Sequence, residues 1–219
     1  MDRILSLLII APPILFALTV HEYAHGWVAY RFGDPTAKNA GRLTLNPLSH
    51  LDPLGTIMLF LVHLGWAKPV PVNPYYLRHP KEDMVWVSLA GPGANMLMAL
   101  MFGLIIRLIH PLSLYLEMGS SFVGILATMI VYGMMINLIL AFFNLIPLPP
   151  LDGSKILMGL LPVKYEYQKA RLERIGPFLL IGIILISNFA RVPILWMILS
   201  PFVSFFSFLF AGADFSRFF

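Results

Sequence analysis

Polar positions are scarce along this chain, and where they fall divides it into long apolar runs separated by basic connections. Ile4 to Val20 is almost continuously apolar, and the character resumes through Trp27, Val28, Ala29 and Tyr30. A run of that length predicts one helix over residues 4–31, long enough to cross a bilayer and stopped by Gly33 and Pro35. No small-residue cleavage site follows the run, so it reads as a span and not as a signal peptide. Met84 to Ile109 predicts a second spanning helix, ended by Pro111. Phe122 to Phe143 predicts a third, ended by Pro147, Pro149 and Pro150, which cannot continue it. A shorter helix over about 153–161 follows, with Asp152 at its N-cap, and residues 176–190 and 193–211 predict two further apolar helices. The first of these two is short for a span.

The stretch 32–83 has a different pattern, rich in Gly, Pro and Asn. Arg42-Leu43-Thr44-Leu45 and Pro69-Val70-Pro71-Val72 alternate with the period of a strand, the second confined to an edge by its prolines. Together they predict a small β-hairpin. Ile57 to Leu64 between them is too short to span and predicts a re-entrant segment, allowed at membrane depth where protein or water shelters its backbone. An exposed edge here could accept an extended peptide by strand addition, or the hairpin could simply cover the mouth of the bundle.

Composition turns this pattern into a class. The chain is 58% hydrophobic and 12% charged, where soluble domains average about 25% charged. The expected fold is therefore an all-α integral membrane bundle of about five transmembrane helices, with the hairpin and re-entrant region between the first and second spans. One membrane-embedded domain over residues 1–219 suits the length, with a core over about 4–161 and C-terminal helices over about 175–211. The absence of cysteine removes disulfides and thiolate metal sites. The net charge of +4 does not point to nucleic acid, because the basic residues sit between apolar runs. Loops 32–83 and 154–174 are rich in Lys and Arg, whereas 110–121 and 188–192 carry only Arg191. The positive-inside rule then puts the basic loops in the cytosol and the N-terminus outside, in a plasma or inner membrane.

The candidate chemistry lies near the end of the first span, in His21-Glu22-Tyr23-Ala24-His25. Histidines four apart share one helix face and can bind one metal ion, most often zinc. Glu22 between them is placed to take a proton from water, and the H-E-x-x-H pattern combines two ligands and a base on one helix. His21 follows Ile4 by 17 residues, about 26 Å of helix, so the motif lies within a ~30 Å hydrocarbon core but near its far face. The plain alternative is two histidines and a glutamate satisfying one another inside a bundle. A catalytic zinc needs about three protein ligands. Asp152 is at the right depth for the third, although a helix N-cap explains an Asp there equally well. His63 stays open as an alternative. His50 and His79 read as polar surface residues of the loops, and His110 is at the outer face.

The sequence resembles the site-2 protease family of intramembrane zinc metalloproteases. The resemblance rests on His21-Glu22-Tyr23-Ala24-His25 and on Asn144-x-x-Pro147-x-Pro149-x-x-Asp152-Gly153 at the end of another span, with Gly91-Pro92-Gly93-Ala94-Asn95 similar to a small-residue motif of the family. It covers about residues 10–160 and looks like the short prokaryotic branch, without PDZ or CBS domains. It implies one Zn2+ per chain held by His21, His25 and Asp152, Glu22 as catalytic base, and Asn144 near the scissile carbonyl. Asn95 reads as interhelical glue. The implied substrate is a transmembrane protein or peptide, cut near the cytosolic face. The rival expectation is a membrane metal transporter or metal-binding protein using the same residues. Such a protein would spread ionisable groups across several helices, and the second and third spans contain no histidine or carboxylate. A structural subunit with a vestigial site would have no need of Glu22.

Overall fold

The computed structural model describes residues 3–53, 55, 67–109 and 121–216. Its helices are α1 (Arg3–Arg31), α2 (Thr36–Asn39), α3 (Pro80–Leu108), α4 (Phe122–Asn144), α5 (Asp152–Leu160), α6 (Glu166–Ala190) and α7 (Ile194–Ala211). Five segments are long and apolar enough to cross a membrane: Leu7–Arg31, Pro80–Leu108, Phe122–Asn144, Val163–Ala190 and Ile194–Ala211. The expected helical membrane bundle is therefore the architecture seen.

Helix α3 is the hub, packed against α1, α4, α5 and α7. The core lies between α3, α4 and α7, where Ala99, Met134, Met135, Leu138 and Val203 are fully enclosed. Close approach depends on small residues. A methyl group at Gly103 would lie 2.5 Å from Phe210 Cβ, and one at Gly133 would lie 2.9 Å from the Phe102 ring. Phe142, Phe202, Phe206 and Phe210 continue the α4–α7 contact as a chain of rings with centroids 5.3–5.4 Å apart.

Helix α6 is peripheral and mostly exposed along its length, as a lipid-facing helix would be. Its seam to the rest includes Gly176, where a methyl would meet Pro149 Cδ at 2.6 Å. It starts ten residues earlier than the apolar pattern predicts, at Glu166. Glu-Tyr-Gln-Lys-Ala-Arg-Leu-Glu-Arg is polar but consists mostly of strong helix formers, and Glu166 pairs with Lys169 at 2.7 Å.

The predicted hairpin does not form among the described residues. Residues 43–44 form a bend, residues 42, 45 and 69–72 are irregular, and the one described β-contact is an isolated antiparallel bridge from Leu51 to Ala67. The physical reason is where the hydrogen bonds go. Pro69 and Pro71 have no N–H, the Val70 N–H donates to Glu22 Oε2, and the Thr44 carbonyl accepts from His50 Nε2 at 2.8 Å. The groups a ladder would use are already engaged, and the strand-addition edge expected there falls with the hairpin. The re-entrant segment predicted over 57–64 lies outside the described residues.

Side chains organise this connection instead. Buried Asp34 accepts from the Thr36 amide at 2.9 Å, from the Thr36 hydroxyl, and from the Asn73 amide at 2.7 Å, tying the two ends of the stretch together. Asn46 and Asn73 cap single 3₁₀ turns at Pro47–His50 and Pro74–Tyr76.

Candidate metal centre

His21 and His25 project from α1 toward α3, with ring centroids 4.6 Å apart and planes at 85°. Their Nε2 atoms are 3.0 Å apart, and each lies 3.1 Å from Asp152 Oδ2. All three residues are buried. Space for the two rings comes from Gly91 on α3. A methyl there would lie 2.6 Å from His21 Cε1 and 2.7 Å from His21 Nε2, and closer still to His25 Nε2. Gly91→Ala is therefore expected to abolish tight metal binding while the helix content is retained, measured as bound metal per chain beside circular dichroism. Of the neighbouring small residues, Gly93 faces open space and serves no such contact.

Asp152 is the first residue of α5, whose N-cap is Leu151. The N-cap expectation is corrected: no side chain caps this helix, and the carboxylate is spent on the histidines, with Lys155 Nζ 3.4 Å from its other oxygen. A carboxylate in the first turn also sits favourably in the helix dipole. Gly153 fits beneath because the Leu145 and Ile146 carbonyls press on its Cα, leaving no room for a side chain. The Asn144–Gly153 turn thus delivers Asp152 across to α1.

Both imidazoles are oriented from behind. His25 Nδ1 is 2.6 Å from the Val87 carbonyl, which can only accept, so this nitrogen carries the proton. Val87 is in the turn of α3 preceding Pro92, whose ring crowds the backbone one turn back. His21 Nδ1 is 2.6 Å from Asn95 Oδ1. The Asn95 amide group donates to the Ala17 carbonyl at 3.1 Å and to Asn137 Oδ1 at 2.8 Å, which leaves its oxygen as the acceptor toward His21. Asn137 donates in turn to the Gly133 carbonyl at 2.7 Å. The network fixes the tautomer of His21, as that of His25 is fixed, with both Nε2 lone pairs facing inward.

With the Nδ1 atoms engaged from behind, two imidazole Nε2 atoms and a carboxylate oxygen thus converge within 4.8 Å. Alone, such a set repels; around a cation it is satisfied. The residues fit zinc, which takes His nitrogen and carboxylate oxygen and uses three protein ligands in catalytic sites. The Nδ1 partners are the outer hydrogen bonds that orient metal-binding histidines.

Glu22 is not among the three converging groups. It is half-buried on the adjacent face of α1 and accepts the Val70 N–H at 2.7 Å. Asn144 is at the end of α4 and donates to the Leu140 carbonyl, one turn back, at 3.0 Å, so it does not join the histidine–aspartate hydrogen bonds. Asn95 does bridge helices as expected, and it also holds His21. His50, expected at the surface, is buried against Thr44, because its ring closes the 42–50 turn on itself. His79 precedes α3 and is exposed, and His63 and His110 lie outside the described residues. Sequence reasoning missed Asn137, the Val87 carbonyl and the Val70 amide. Asn137 alone had a signal, as an amide side chain deep in the most apolar span.

Comparison with known proteins agrees with this chemistry. The model for "Peptidase family M50" matches residues 107–187. A Bacillus subtilis protein named "Putative zinc metalloprotease YwhC" is 42% identical over 163 residues, 74% of each chain. A Methanocaldococcus jannaschii protein, also named as a "Putative zinc metalloprotease", is 30% identical over 154 residues, 70% of this chain and 69% of its own. Rip2 of Mycobacterium tuberculosis, bearing the same description, is 33% identical over 146 residues, 64% of this chain and about half (52%) of its own length. No solved structure matches the chain significantly. Identity at that level across three quarters of a relative, over a bundle of apolar helices, means that the chain belongs to peptidase family M50, the site-2 proteases, as a membrane zinc metalloprotease.

Proposed function

We propose that this protease cuts peptide bonds of transmembrane segments near the cytosolic face of the membrane, with His21, His25 and Asp152 holding the zinc and Glu22 acting as general base. The observation that carries the reading is the convergence of two tautomer-locked histidines on Asp152, with a carboxylate that is not a ligand one residue from His21. Bound zinc supplies a Lewis acid that acidifies water and polarises a carbonyl. Glu22 accepts the proton of the attacking water and returns it to the leaving amide nitrogen as that bond breaks. Asn144 is the proposed donor to the carbonyl oxygen as negative charge develops there; to reach it, its amide must leave the Leu140 carbonyl. The substrate helix has to unwind locally, so Gly and Pro, which weaken helices, are expected near cut sites.

Charge supports the placement: the connections 32–83 and 154–174 carry the Lys and Arg excess. The chain then acts as one membrane domain with its N-terminus outside. The test uses cysteine variants and a peptide. Cysteines replacing Lys38 and Lys164 should label only from the cytosol, and one replacing Ser113 only from outside. Purified protein in detergent should cut a helical membrane peptide at a Gly or Pro near its cytosolic end, and a chelator should stop it. Labelling of positions 38 and 164 from opposite sides would overturn the placement; cutting at the outer end of the peptide would overturn the substrate geometry.

A further inference from the structure

The connection into α3 contains Pro69-Val70-Pro71. Two of these three residues have no N–H. The single remaining donor, that of Val70, is given to Glu22 Oε2 at 2.7 Å. A backbone N–H on a carboxylate is a charge-assisted bond, stronger than one between neutral groups.

The rest of the segment holds that amide in place. The Val70 side chain is buried, and it rests on Gly26: a methyl at Gly26 would lie 3.0 Å from Val70 Cγ1 and 3.2 Å from Ala37 Cβ. Gly26 follows Glu22 by four residues on α1, so both lie on one face, a turn apart. Val70 therefore docks its side chain one turn beyond the carboxylate that its amide grips. Pro71 restricts Val70 to extended backbone. Upstream, the Lys68 amide donates to the His50 carbonyl at 2.8 Å and the Lys68 carbonyl accepts the Arg42 guanidinium at 2.7 Å. Downstream, the Asn73 amide is held by Asp34. Ties on both sides leave the central donor little freedom to move off Glu22.

We propose that Val70 is a positioning residue for the general base. Its N–H fixes one oxygen of Glu22 and leaves the other for proton transfer, and Gly26 is the seat that makes this possible. The inference rests on the reading of Glu22 as base. A glutamate side chain has several rotatable bonds, and restraining it in advance removes an ordering cost from the proton-transfer step.

The test replaces Val70 by its 2-hydroxy acid analogue, introduced by nonsense suppression. The side chain stays and an ester oxygen stands where the N–H was. With bound zinc and KM unchanged, kcat should fall about 10–100-fold, the range of a lost hydrogen bond to a charged group. Val70→Ala, which keeps the N–H but loses the seat on Gly26, should lower kcat less than the ester does, because a donor to Glu22 remains. The carboxylate stretch of Glu22 in the metal-free protein, isolated by subtracting the infrared spectrum of Glu22→Gln, should shift in the ester chain. An unchanged kcat and spectrum would overturn the proposal, and a raised kcat would show that the amide restrains the base instead of aiming it. If the ester chain loses zinc, Gly26→Ala decides: displaced Val70 should lower kcat with zinc retained, and a wild-type kcat would sink the idea. Wild-type cleavage by Glu22→Gln would defeat the base reading itself, whereas an inactive Glu22→Gln beside a fully active ester chain defeats only the role of Val70.

Discussion

Replacing Glu22 with Gln is expected to lower peptide cleavage by at least about 10²-fold, the lower end of what a positioned acid–base group contributes. The substitution is conservative in size and shape and removes the carboxylate charge. Gln has nearly the same size, and its amide oxygen can still accept the Val70 N–H that Glu22 Oε2 accepts at 2.7 Å. What disappears is the ability to take a proton. His21, His25 and Asp152 are untouched, so zinc should stay at the wild-type level, and uncut substrate should co-purify with the variant. A metal transporter would behave otherwise, changing flux or its pH dependence without accumulating peptide. Measurement in detergent with a membrane peptide separates the two. Cleavage at the wild-type rate would remove Glu22 from the mechanism. In the same assay Asn144→Ala should retain zinc and lose kcat; unchanged kcat would leave the Asn144 side chain with its bond to Leu140 alone.

The second large effect is on the metal. His21→Ala and Asp152→Ala should each lose most of the bound zinc, His21→Ala nearly all of it. Asp152 Oδ2 is 3.1 Å from both Nε2 atoms, so its removal takes away the anionic ligand and leaves two neutral imidazoles facing each other. His21→Ala also orphans Asn95 Oδ1, buried between α1 and α4. Because a ligand that binds the folded state stabilises it by mass action, chelation should lower the melting temperature of the wild type but not of Asp152→Ala. Full zinc occupancy in Asp152→Ala would place the third ligand elsewhere.

The membrane-spanning helices were legible because a bilayer demands about 20 apolar residues from each span, a requirement that writes itself into the sequence. The histidine pair was legible for the same kind of reason, since a spacing of four is a geometric statement about one helix. Asp152 was only half legible: residues alone left it divided between ligand and N-cap, and the Asn144–Gly153 pattern tipped the balance. What failed was the reading of short alternation as strands. In 42–45 and 69–72 the period-two signal spans four residues, too few to outweigh prolines and side-chain bonds that occupy the backbone. What could not be read at all were the backbone partners. The Val87 carbonyl and the Val70 amide belong to groups every residue has, so nothing in their letters distinguishes them. The start of α6 shows the reverse error, where polarity concealed nine residues of good helix formers.

The two halves of the metal centre are 131 and 127 residues apart in the chain. During synthesis the histidines of α1 enter the membrane early, while the aspartate that completes them emerges only after α3 and α4 have been made. On the proposed ligand set, α1 alone carries two of the three groups and α5 brings the third. If His21, His25 and Asp152 hold the zinc as proposed, a chain that ends before α5 should neither retain zinc nor cut peptide, however well α1 has formed.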